Sequence, residues 1–334
     1  MSHGPATSTI QTMADVWEAY HEELQGVEDQ VRKNLDSKVA LVNTVAAHIL
    51  SSGGKRIRPL LLILSARLSG YTDKDDQLLG SLVEYIHTAT LLHDDVVDDA
   101  ELRRGRRTAR KVWGNQISIL VGDYLYSKAI CQIVEFRSQA INEVLSKACR
   151  KMAEGEVLQL YYNGNPAMPE SEYLRIAEHK TAGLMAASCC IGAIIGGASE
   201  EKQEALFRFG QHLGIAFQVA DDTLDYAANR ERLGKSLGQD LRQGKATLPL
   251  LHLLQHCSDK DKQMIKDRME TRTLTEPDLL RIIALMQEYG SIAYAMDRAR
   301  AFVTAAKRDL ALFDDCPPRR ALSVVADYMV SRDR

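Results

Sequence analysis

Apolar residues recur at intervals of three and four along nearly the whole chain, the spacing of amphipathic helices. From Asp15 to about Leu50 the series Val16, Tyr20, Leu24, Val27, Val31, Leu35 and then Val39, Val42, Val45, Ala46, Ile49 predicts two helices with a break near Asp36-Ser37. Ser51-Ser52-Gly53-Gly54 stops the pattern, and the next helix is predicted over Leu60–Leu68, with Pro59 near its first turn. Further helices are predicted over Asp76–Leu92, Gly114–Phe136, Ile141–Tyr162, from Pro169 through the small-residue run Gly183–Gly197, and over Glu200–Tyr226. They resume at Leu248 and continue to the end, with breaks near Thr271–Asp278 and Asp314–Pro318. The small residues of 183–197 suggest helices in close approach, and Gly122 inside its helix suggests close packing or a kink. Residues 1–12 are polar and expected to be disordered. Strand-like alternation is nearly absent, so the expected fold class is all-α, one large bundle forming a single domain over 1–334.

Composition adds limits. A chain of 334 residues with 45% hydrophobic content can bury a large core, and a net charge of −3 gives no reason to expect nucleic acid as a partner. No uninterrupted apolar run reaches the ~18 residues of a membrane span, so no transmembrane segment is expected. The start, Met1-Ser2-His3-Gly4-Pro5, has no signal-peptide pattern. Six scattered cysteines without a CxxC pair argue against zinc and against a disulfide framework. The expected setting is cytoplasmic.

The chemistry is concentrated in His93-Asp94-Asp95-Val96-Val97-Asp98-Asp99, four carboxylates within six residues. On a helix Asp94 and Asp98 share a face, as do Asp95 and Asp98. Four residues of helix span about 6 Å, and carboxylates that close destabilise a helix unless a cation neutralises them. Oxygen-only donors suit hard cations, Mg²⁺ above all, which takes one or two carboxylates together with phosphate oxygens. Alone, the motif reads equally well as a solvated acidic helix end. A second copy with the same spacing, Asp221-Asp222-Thr223-Leu224-Asp225, follows the apolar stretch Gly214–Ala220, and the pair suggests two walls of one site.

Cations accompany both motifs: Arg103-Arg104-Gly105-Arg106-Arg107 after the first, Lys235 and Lys245 after the second. Carboxylates that hold Mg²⁺ beside Arg and Lys that hold phosphate make a diphosphate site. Lys55-Arg56-Ile57-Arg58-Pro59 puts three cations just before a helix N-terminus, where free N–H groups and the dipole favour an anion; a solvated basic loop is the alternative. His87 lies two turns before Asp94 on the same face, as a ligand contact or as a hydrogen-bonded core histidine. Residues 227–247 form a long loop rich in Gly and charge, expected to act as a lid.

These residues resemble the trans-isoprenyl (polyprenyl) diphosphate synthase family over nearly the whole chain. The resemblance rests on Gly54-Lys55-Arg56-Ile57-Arg58-Pro59, His93 through Gly105, Lys180-Thr181, Phe217 through Asp225, and Gly234 through Leu248. Glu84 through His93 and Glu154 through Leu160 look most like the long-chain, octaprenyl-type synthases. The resemblance implies antiparallel helices around a central cavity, a homodimer, and three Mg²⁺ ions per active site. It implies head-to-tail extension of an allylic diphosphate such as farnesyl diphosphate by isopentenyl diphosphate, with release of pyrophosphate. Asp94, Asp98 and Asp221 then become direct metal ligands, with Asp95, Asp222 and Asp225 supporting the ions or their waters. Arg103, Lys180, Lys235 and Lys245 become contacts to the allylic diphosphate, and Lys55, Arg58, His87 and Arg104 the isopentenyl diphosphate site. Gln218 and Thr181 fall near the reacting carbons. Asp99 and Glu101 depart from the plainest form of the motif and are expected to point to solvent. The role of Arg332-Asp333-Arg334, which resembles the family's basic tail, stays open.

The same resemblance implies that a growing tail runs down the helix ahead of Asp94. Ala89 and Thr90, then Ile86 and Val83, lie along that face. Short-chain relatives carry bulky aromatics where Ala89 and Thr90 stand, so the expected product lies near octaprenyl diphosphate, with a geranylgeranyl- or farnesyl-length product as the alternative. A class I terpene cyclase or a non-catalytic partner subunit fits less well. The second motif is a complete DDxxD, the Lys55/Arg58 loop is present, and both motifs keep their carboxylates.

Overall fold

The computed structural model describes residues 10–51, 53–227 and 238–331. Helices dominate, as the periodicity predicts, and the chain divides into two compact units. The first contains the chain up to Ser146, Ala187–Glu204 and Asp315–Leu322; the second contains Lys147–Ala186, Ala205–Asp314 and the chain from Ser323.

In the first unit α1 (Met13–Ala19), α2 (His21–Lys33), α3 (Ala40–Leu50), α4 (Ile57–Leu68) and α5 (Asp75–Val97) follow one another. A capping box between Thr12 and Asp15 starts α1. The helix predicted from Asp15 divides at Tyr20, whose backbone leaves the helical region while its ring is buried. α4 is apolar all round and buried from Pro59 to Ala66, so it is a core helix. The small-residue run fulfils its prediction here. α10 (Gly183–Ile195) passes so close to α4 that a Cβ on Gly192 would sit 2.3 Å from the Leu62 carbonyl oxygen. The centre of the unit is α5, packed against α2, α4 and α7 (Asn115–Glu135).

α7 bears on the expectation of no transmembrane segment. It is, among the described residues, the one helix long and apolar enough to cross a bilayer by length and composition. Asp123 and Lys128 interrupt its apolar run. In this structure Val121, Gly122, Leu125, Ala129 and Ile133 of α7 are buried, and the Ser118 hydroxyl donates to the Leu92 carbonyl of α5 at 3.0 Å.

The second unit holds most of α8 (Gln139–Tyr162), then α9 (Glu170–Ala177), a single π-helical turn over Glu178–Ala182, and most of α11 (Glu200–Ala227). Its core joins Tyr173, Ala182, Val219 and Tyr226 to Leu248, Leu251, Ile282 and Ala295 of the later helices. A four-residue helix, Gln239–Arg242, lies inside the stretch read as loop. All six cysteines are free thiols.

Candidate active site

In the first unit the site residues sit on α5 and on the loops that flank it. α5 runs through the first acidic motif and ends at Val97, with Asp98 as its cap. The end is a Schellman-type stop: Ala100 N–H donates to the Asp95 carbonyl at 2.9 Å, and Asp99 takes the left-handed conformation at φ 52°. Asp99 and Glu101 are exposed, as expected, and each is paired, with Arg110 and Lys111 respectively. Asp94 and Asp98 are half-buried. Asp95 is 1% exposed, and Arg103 donates to its Oδ1 from Nε at 2.9 Å and from Nη2 at 2.8 Å. Its Oδ2 is buried without a hydrogen-bond partner among the described residues. His93, which opens the motif, lies over α7, where a Cβ on Gly122 would be 2.4 Å from its Nε2.

The run of cations after the first motif is carried by a hairpin: β1 (Leu102–Arg103) pairs with β2 (Arg106–Arg107). Arg104 and Gly105 both have positive φ, as a tight two-residue turn requires. Arg104 reaches back to the Gly53–Gly54 loop, where a Cβ on Gly54 would meet its Nη1 at 3.0 Å.

The Lys55–Pro59 loop divides its cations. Lys55 is exposed. Arg56, at φ 47°, is turned inward, paired with Glu28 and Glu84 and bonded to the Leu50 carbonyl at 3.1 Å. It is therefore committed to the protein, which corrects the reading of three cations open to an anion. Arg58 keeps its Nε buried without a partner among the described residues. Burial and the neighbouring Arg104 lower its pKa while Glu84 opposes them; a guanidinium remains charged regardless. Burial, then the nearby Arg58, Arg104, Arg103 and Arg56, hold His87 well below its ordinary range, so it is neutral at pH 7. Arg58 and Arg104 thus form one crowded cationic corner beside the neutral His87, with the buried Glu84 as counter-ion. An anion would relieve that repulsion.

In the second unit the π turn carries Lys180 and Thr181. Such turns recur at functional sites because they displace side chains from helical register. Lys180 Nζ meets Glu156 Oε1 at 2.5 Å. Thr181 Oγ1 donates to Gln218 Oε1 at 2.6 Å, and Gln218 Nε2 donates to Asp222 Oδ1 at 2.7 Å. The Tyr173 hydroxyl donates to Asp222 Oδ2 at 2.7 Å. Burial, then Asp240, push the Asp222 pKa well up. Asp221 is exposed. Asp225 accepts from Asp240 N–H at 2.9 Å and from Gly238 N–H through its carbonyl at 3.0 Å, so it anchors the turn into Gln239–Arg242. Lys245 Nζ lies 3.8 Å from Asp240 Oδ1. Lys235, with most of the loop read as a lid, falls outside the described residues, as do Arg332, Asp333 and Arg334.

Among the described residues no three His, Cys, Asp or Glu side chains converge as a ready-made metal centre. The oxygen-only donors still suit a hard cation that completes its shell with ligand oxygens. The open Asp95 Oδ2 supports that fit, whereas both oxygens of Asp222 are occupied. Sequence reasoning missed Glu84 and Tyr173. A lone carboxylate among Leu82, Val83, Tyr85 and Ile86 was a legible signal for Glu84; nothing in the sequence marks Tyr173.

Two acidic motifs, a cationic corner and an all-helical frame are the parts of a diphosphate-handling helical enzyme, and comparison with known proteins agrees. The polyprenyl synthetase family profile matches residues 39–286, and the chain belongs to that family of prenyltransferases. It is 41% identical over 316 residues to octaprenyl diphosphate synthase of Escherichia coli (strain K12), covering 94% of this chain and 97% of that protein. A crystal structure of polyprenyl synthase from Caulobacter crescentus CB15 complexed with calcium and isoprenyl diphosphate matches at TM-score 0.93 and 39% identity, over 98% of this chain and 100% of the other. A decaprenyl diphosphate synthase from Rhodobacter capsulatus matches at TM-score 0.92 and 39% identity, over 96% and 99%.

Proposed function

We propose that this chain is a trans-polyprenyl diphosphate synthase that extends an allylic diphosphate, farnesyl diphosphate as primer, with isopentenyl diphosphate to a product near octaprenyl diphosphate. The observation that carries the reading is the crowded cationic corner of Arg58 and Arg104, with the neutral His87, beside an acidic helix end with a buried, open carboxylate oxygen. The similarity to an octaprenyl diphosphate synthase supports the product length, as do the small side chains Ala89 and Thr90 ahead of Asp94.

Asp94, Asp98 and Asp221 would hold Mg²⁺, three ions per site, with Asp95 and Asp225 supporting them. A calcium-bound relative supports a divalent metal. When bound, the ions would draw negative charge onto the leaving diphosphate. Arg103, Lys180 and Lys245 would bind the allylic diphosphate, and releasing them from Asp95, Glu156 and Asp240 is part of the cost of binding. Lys55, Arg58, His87 and Arg104 would bind the isopentenyl diphosphate. Ionisation leaves an allylic cation, the double bond of isopentenyl diphosphate attacks it, and the departing pyrophosphate takes the proton. Asp94→Ala and Asp221→Ala should each cut turnover by orders of magnitude with helical content unchanged by circular dichroism. Near wild-type turnover with intact Mg²⁺ dependence in either variant would sink the assignment.

The active form is proposed to be a homodimer. Support comes from the exposed apolar residues of α7, Leu120, Tyr126 and Val134, and separately from Val157, Leu160 and Tyr161 of α8. Light scattering should give twice the mass of the 334-residue chain; a monomer at micromolar concentration would contradict it.

A further inference from the structure

Arg56 commits all three guanidinium nitrogens to the protein. Nε donates to Glu28 of α2, Nη1 to Glu84 of α5, and Nη2 to the Leu50 carbonyl at the end of α3 at 3.1 Å. The side chain is 11% exposed, so water competes little for these bonds. Three helices are thereby pinned to one residue of the loop that carries Lys55 and Arg58. The same end of α3 receives the hairpin, because His48 Nε2 donates to the Arg107 carbonyl at 2.8 Å. Arg56 itself caps α4 at φ 47° and ψ 39°. A residue with a side chain keeps that left-handed conformation only when its surroundings hold it there. The three-way fork is the holding contact. Released from it, the residue favours negative φ, and the chain on either side turns with it.

We propose that Glu28 is a positioning residue for the isopentenyl diphosphate site: through Arg56 it fixes the loop backbone that sets Arg58 against Arg104. The inference rests on the prenyl-transfer reading and on the assignment of that corner to isopentenyl diphosphate. Glu28 precedes the span 39–286 matched by the family profile, so the match does not mark it. Of the two carboxylates on Arg56, Glu28 separates position from charge. Glu84 acts directly on Arg58 and on Arg104, whereas Glu28 is not among the charges that act on either. Position and charge then predict opposite signs. Removing a carboxylate near an anion pocket makes the pocket more positive, which by itself tightens the anion. Releasing Arg56 misplaces Arg58, which weakens it.

The test is steady-state kinetics with isopentenyl and farnesyl diphosphates. Wild type, Glu28→Ala, Glu28→Gln, Arg58→Ala and the double variant Glu28→Ala/Arg58→Ala are compared, each checked for folding by circular dichroism and melting. Glu28→Ala should raise the KM for isopentenyl diphosphate about fivefold or more and leave kcat and the KM for farnesyl diphosphate within about twofold. Glu28→Gln has the same charge as the alanine variant but keeps an oxygen for Arg56 Nε, so it should recover most of the loss. In the Arg58→Ala background, Glu28→Ala should change the isopentenyl diphosphate KM by no more than about twofold, because Glu28 acts by placing Arg58. An unchanged or lowered isopentenyl diphosphate KM in Glu28→Ala, equal rises in both KM values, equal losses in the alanine and glutamine variants, or additive losses in the double variant would each overturn the proposal while the functional reading stands. A wild-type chain that does not join the two diphosphates overturns the reading, and the role of Glu28 with it. If Glu28→Ala does not fold, Glu28→Asp, which draws the carboxylate back by one methylene, carries the test with the same KM outcomes.

Discussion

Arg56 and Arg58 stand two residues apart on one loop and are spent differently. Arg56 is held by Glu28, Glu84 and the Leu50 carbonyl, and that inward turn uses a left-handed backbone. Arg58 keeps a buried Nε without a partner among the described residues. A buried unsatisfied donor costs free energy until a ligand fills it. Arg58→Ala should therefore raise mainly the KM for isopentenyl diphosphate, by the worth of a charge-assisted hydrogen bond, ~1.5–3 kcal/mol. If initial rates instead show weakened farnesyl diphosphate binding alone, the two diphosphate pockets are assigned the wrong way round. The sequence could not separate the two arginines, because the difference depends on Glu28 and Glu84, which lie on other helices. Asp222 teaches the same lesson. By spacing it is the twin of Asp95, yet Tyr173 and Gln218 occupy both of its oxygens.

At the scale of elements, α5 does most of the positioning. It carries His87, Asp94, Asp95 and Asp98 on one rigid rod and packs against α2, α4 and α7. Helical periodicity made this element legible, although the helix runs to Val97 and not to Leu92. The acidic residues past Leu92 carry no apolar signal, and the stop is made by backbone geometry at Asp99. Val83, Ile86 and Ala89 are buried on α5 and Thr90 is half-buried. Eleven residues separate Val83 from Asp94, about 16 Å of helix for a tail to follow. Ala89→Phe should shorten the product towards farnesyl or geranylgeranyl length and leave condensation intact, read by chromatography of the dephosphorylated products. An unchanged product length in a folded variant contradicts the path. Two elements were not legible. The π turn at Glu178–Ala182 needs tertiary packing to exist, and the hairpin Leu102–Arg107 has no alternating apolar residues to announce it.

For the whole molecule, the repeated acidic motif carried more than either copy alone, since two such faces with cations nearby have few other uses. Fold class and family followed from periodicity and from motifs in order along the chain, and the helical fold with its matches to polyprenyl synthases agrees. Product length is different: it depends on the volume available to a tail, which several elements set together. The most direct test is to incubate the purified chain alone with Mg²⁺, farnesyl diphosphate and excess isopentenyl diphosphate to exhaustion, then size the products by mass spectrometry. The expected result is a ladder ending between hexaprenyl and nonaprenyl diphosphate, with octaprenyl diphosphate dominant. A ladder ending at geranylgeranyl diphosphate or shorter, a cyclised hydrocarbon, or no elongation without a second protein would contradict it.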